Sequence, residues 1–144
     1  MKKQRNIVRG FQLNLENKDS FQAPIVANVN MAVGNFLSDN AGFNGLPSKL
    51  QAAVVSSISQ YCRLQHSGWV QEVFNAVRET ARQNRVDLDK QHESLDVIAP
   101  KLDATMDKKI AEFMDEAVTV ARDRVAYMLA QYNDPKNAAK FGLN

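Results

Sequence analysis

The stretch from Asp107 to Asp134, "DKKIAEFMDEAVTVARDRVAYMLAQYND", contains no proline and no glycine. Nothing else in the chain limits its fold as tightly. At about 100° per residue, Met106, Ile110, Phe113, Ala117, Ala121, Val125, Met128 and Tyr132, with Met114, Val118 and Leu129 beside them, spread over roughly 160° of a helix surface. A helix packed on one neighbour usually shows a stripe of about 100°. Val120 and Tyr127 lie beyond this arc, on its far flank. The pattern predicts a helix from about Lys101 to Tyr132, about 48 Å long. Two readings of the extra width stay open: a central helix touched on several sides, or a helix that shares its flank with another subunit. Arg124 falls inside the stripe, which breaks a strict a/d heptad and argues against a long two-stranded coiled coil.

The rest of the chain supplies shorter helical patterns. Pro24 suits a first helical position, and Ile25, Val29, Ala32, Val33, Phe36 and Leu37 form the face that follows. "SDNAGFNG" (38–45) reads as a loop. Ser48 and Gln51 have the spacing of a capping box and open a helix bearing Leu50, Val54, Ile58, Tyr61 and Cys62. "HSG" (66–68) reads as an interruption, because Gly68 is a poor helix former and Ser67 a good N-cap. A third helix then carries Val70, Val73, Phe74, Val77 and Ala81. A fourth runs from about Asp87 to Ile98, until Pro100 ends it or kinks it into the long helix.

The N-terminus differs in kind. Phe11, Leu13 and Leu15 alternate with Gln12, Asn14 and Glu16, the period of a half-buried strand, but no second strand pattern exists to pair with it. Residues 1–22 are therefore expected to form an extended arm, lying across its own helices or gripping a neighbouring subunit. Residues 23–144 are expected to form a single helical domain. The fold class expected is all-α: about five helices in a bundle, with one long C-terminal helix and the arm.

Composition narrows the function. A chain of 144 residues, 44% hydrophobic and 24% charged, can bury a core without disulfides. Its 18 basic and 16 acidic residues leave a formal charge of +2, far from the excess of a dedicated nucleic-acid binder. One cysteine, no signal-like apolar run and no membrane-length segment point to a soluble cytoplasmic protein.

No catalytic constellation assembles. Cys62 and His66 stand four apart on one helix face, half a metal site at most, and His92 is the only other histidine. Asp89, Glu93 and Asp96 lie near His92, but a di-iron bundle needs a second carboxylate-x-x-His motif and further glutamates. Ser56, Ser57 and Ser59 sit mid-helix without a nucleophile elbow, and "AGFNG" lacks the lysine of a phosphate loop. The sequence therefore predicts no enzyme, no cofactor and no metal. It favours a self-associating interaction or assembly subunit, of the kind that builds multi-subunit particles, viral ones included. Its interface would use Val120, Tyr127, Phe11, Leu13 and Leu15. The alternative is a nucleic-acid-associated protein, with Arg78, Arg82 and Arg85 lined up on one helix and Lys2, Lys3, Arg5 and Arg9 in the arm tracking phosphates. Against it, the arginines can pair with carboxylates such as Asp115, Glu116 or Asp123.

Overall fold

"HSG" does not interrupt a helix. In the computed structural model, which describes residues 17–84 and 95–141 (of 95–98 the backbone only), Ser48–Gln83 is one continuous helix, α3. Gly68 costs about 1 kcal/mol relative to alanine in such a place, and its exposed position has no neighbour that needs the space. Trp69, Val70 and Val73 just after it are buried, as are Ile58 and Cys62 before it. Burying a side chain of this size is worth about 1.5–3 kcal/mol, so packing on both sides of the glycine outweighs its propensity.

The remaining helices are α1 (Gln22–Ser38), the single turn α2 (Ala41–Asn44) and α4 (Leu95–Asn133). The described residues thus form an all-α fold of four helices with no strand, in which the expected second and third helices are one. α4 continues through Pro100, so that residue does not end it. The alternating segment around Phe11, Leu13 and Leu15, and most of the separate helix expected from Asp87, lie outside the described residues.

Local chemistry sets the corners. Asn17 accepts a hydrogen bond from the Asp19 backbone N–H and opens a 3-10 turn, Lys18–Phe21, whose Phe21 is buried. Asn40 caps α2 by accepting from the Phe43 N–H at 2.8 Å. In the segment expected to be a loop, Phe43 is a core residue, and so is Leu46 directly after it. A Cβ on Gly42 would stand 2.7 Å from Leu129 Cδ1, so this turn lies directly on α4. The capping box is absent. Pro47 is the N-cap of α3, no side chain caps that end, and the Gln51 amide donates to the Phe43 and Asn44 carbonyls instead.

α3 and α4 run antiparallel. Ser57 meets Arg124, Tyr61 meets Glu116, Trp69 stacks on Phe113, Thr80 meets Thr105 and Asn84 meets Lys101. α1 lies along both. Phe21, just before it, packs edge-on against Phe74 of α3, and Phe36 lies under the guanidinium of Arg122 on α4. One core joins them, with Ile25, Val29, Val73, Ile110, Ala117 and Ala121 among its most buried members. The broad apolar stripe of α4 is therefore largely occupied within the chain, by α3 on one side and by α1 and α2 on the other.

Candidate interaction surface

Phe36 touches Arg122 and Gly42 touches Leu129, which fixes the side of α4 that α1 and α2 cover. Val120 and Tyr127 sit about 140–180° round the helix from those two residues. That side carries no described helix beyond the edge of α3, and the chain leaves it partly apolar. Tyr127 is 66% exposed and Val120 is half-buried. On the facing edge of α3, Ser57 and Tyr61 reach across to α4, and Leu64, one turn on, is 76% exposed. The result is a two-helix strip with Leu64 near one end, Tyr127 at the other and Val120 between them.

Polar groups tie the two edges together. The Tyr61 hydroxyl donates to Glu116 Oε2 at 2.6 Å, and Arg124 Nε donates to Ser57 Oγ at 2.8 Å. The hydrogen bond to Glu116, then burial and the carboxylate's charge, push the Tyr61 hydroxyl from its ordinary 10.0 up to about 12. A folded-state pKa raised above the unfolded value means that the unfolded chain ionises first. This contribution is fully present below about pH 10 and is lost as pH rises through about 12. Tyr61→Phe is expected to cost about 1 kcal/mol at neutral pH, as for one partly exposed hydrogen bond. The gap between the wild-type and variant melting temperatures should then close between pH 10 and 12. A gap constant across that range would mean that the hydroxyl contributes nothing through its proton.

The other singled-out residues separate into those the structure describes and those it does not. Arg82 pairs with Glu79 on its own helix, not with Asp115, Glu116 or Asp123 across the bundle. That hydrogen bond holds the Glu79 carboxyl below the usual range and raises Arg82. Arg78 is half-buried with its guanidinium 5.4 Å from the centre of the Phe74 ring. Arg85, Lys2, Lys3, Arg5, Arg9, Phe11, Leu13, Leu15 and His92 lie outside the described residues.

Cys62 is buried, which pushes its thiol up. His66 leans on Trp69 with ring centres 6.0 Å apart, and burial followed by the nearby Arg63 lowers its pKa. Among the described residues, no group of three or more His, Cys, Asp or Glu side chains is placed to hold a metal ion. No helix among them is long and apolar enough to cross a membrane.

Sequence reasoning missed Leu64. It falls off the stripe formed by Ile58, Cys62 and Trp69, so periodicity assigns it to solvent like any exposed leucine. Only the position of α1 shows that, among the described residues, no helix covers its side of the α3–α4 pair. No family model, curated protein or solved structure matches this chain.

Proposed function

We propose that this protein is a non-enzymatic, self-associating subunit whose α3–α4 strip meets a second copy of the chain. The observation that carries the reading is the exposure of Leu64 and Tyr127, with Val120 between them, on the side that α1 leaves uncovered. Large apolar side chains grouped on one face are the usual mark of an interaction surface, whereas scattered ones are ordinary. The alternating residues Phe11, Leu13 and Leu15 supply a second apolar element. In this reading they add area on the neighbouring chain.

Light scattering at high micromolar concentration tests the proposal. The wild type should show more than the monomer mass. Val120→Glu should shift it towards monomer while moving the melting temperature little, because the new charge meets a partner and not the core. Removing residues 1–16 should lower the assembly state further and leave most helical circular dichroism intact. A clean monomer for the full chain would remove the proposal. Duplex binding that weakens steeply with salt, and is lost on replacing Arg78, Arg82 and Arg85 together by alanine, would support the nucleic-acid alternative instead.

A further inference from the structure

The strip carries a pattern of charge and shape that fits itself. Glu116 and Arg124 stand four residues either side of Val120 on α4, about 6 Å each way along the axis. Tyr127 lies seven residues beyond Val120, about 10 Å along. On α3, Tyr61 meets Glu116 and Trp69 meets Phe113, so Leu64 sits level with the turn between those two α4 residues. That places Leu64 about 6–10 Å before Val120, against about 10 Å after it for Tyr127.

A two-fold axis makes residue i meet j wherever j meets i. From this symmetry we infer that two copies pair antiparallel about an axis through Val120. Val120 faces its own counterpart, Glu116 of each copy meets Arg124 of the other, and Leu64 of each packs against the Tyr127 ring of the other. Both charged residues have groups left for such a pairing. Arg124 uses Nε towards Ser57, and Glu116 uses Oε2 towards Tyr61. A parallel arrangement would set Glu116 beside Glu116 and Arg124 beside Arg124, and like charges in contact oppose association. The inference rests on the self-association proposed above and adds its symmetry and register.

The area sets the strength. Two helices, each about 10 Å wide over about 20 Å of length, cover about 400 Å², short of the roughly 800 Å² per partner of a standard interface. The pairing is therefore weak and concentration-dependent, and covalent trapping is the suitable readout.

Three full-length variants test it: Val120→Cys, Leu64→Cys and Tyr127→Cys, with the wild type, whose single cysteine is buried, as control. Under mild oxidation at high micromolar concentration, Val120→Cys should form a covalent dimer at least tenfold faster than the wild type. Leu64→Cys and Tyr127→Cys should each stay monomeric alone and link to each other when mixed. Reversing both charges, Glu116→Arg with Arg124→Glu, should keep the Val120→Cys cross-link, while Glu116→Arg alone should lose it. If light scattering shows a dimer but Tyr127→Cys links to itself and Val120→Cys does not, this symmetry is wrong and self-association stands. A clean monomer mass for the full chain at high micromolar concentration removes self-association, and this pairing with it.

Discussion

Replacing Trp69 with alanine is expected to cost about 3–5 kcal/mol, the range for emptying a large buried aromatic site. Trp69 is only 3% exposed and stacks on Phe113 at 5.1 Å with the rings 20° from parallel. It is the point where α3 and α4 meet through two stacked aromatic side chains, and it directly follows Gly68. Its loss removes the buried indole area and the aromatic stacking together, and leaves a cavity that rigid helices on both sides cannot close. It also removes the packing that outweighs Gly68, so α3 should fray or bend there. The check is urea unfolding followed by circular dichroism, because Trp69 is the only tryptophan and fluorescence goes with it. The midpoint should fall with the slope unchanged. A loss below about 1 kcal/mol would mean that Trp69 is not part of a packed core.

Ile110→Asp is expected to be more damaging still at neutral pH. Ile110 is 0% exposed at the centre of α4. A carboxylate there loses its water with no partner built for it, a penalty of several kcal/mol on top of the lost apolar burial. Native domains hold about 5–15 kcal/mol in all, so much of the population should unfold. The effect should depend on pH in a definite direction. Burial raises the folded-state pKa of the new carboxyl above its unfolded value of about 3.9, so the loss grows as pH rises above that value and shrinks on acidification. Comparing variant and wild-type urea midpoints at pH 4 and pH 7 checks this. A difference that does not vary with pH would place residue 110 in contact with solvent.

Periodicity alone locates most of the core. Val54, Ile58 and Cys62, then Val70, Val73, Val77 and Ala81, recur at helical spacing, and all are buried. Local signals failed where packing decided the outcome. Gly68 and Ser67 have the chemistry of a break, but a break would pull Trp69 from Phe113. Gln51 has the spacing of a capping box, but Pro47 takes the cap position and Gln51 serves the end of α2 instead. Phe43 was hidden among loop-forming neighbours, although it is a core side chain on a single capped turn. The surface was legible in part. Tyr127 and Val120 stand out as apolar residues off the main stripe. Leu64 gains meaning only once α1 is seen to cover the opposite side, and that placement comes from long-range contacts that no short window of sequence contains.

The unequal lengths of the helices grade the cohesion of the molecule. With its 17 residues, α1 spans about 25 Å, whereas the 36 residues of α3 span about 54 Å and the 39 of α4 about 58 Å. Near Ser57 and Arg124, opening the hairpin means breaking contacts with three helices. Near Thr80 and Thr105, among the described helices, it means separating only two. Local opening is cheapest where the fewest buried contacts must be given up. Backbone amides near Thr80 and Thr105 should thus exchange with solvent through partial openings, while those near Val54, Ile58 and Ala121 wait for global unfolding. Opening therefore begins at the Thr80–Thr105 end, and the end that α1 and α2 cover holds last.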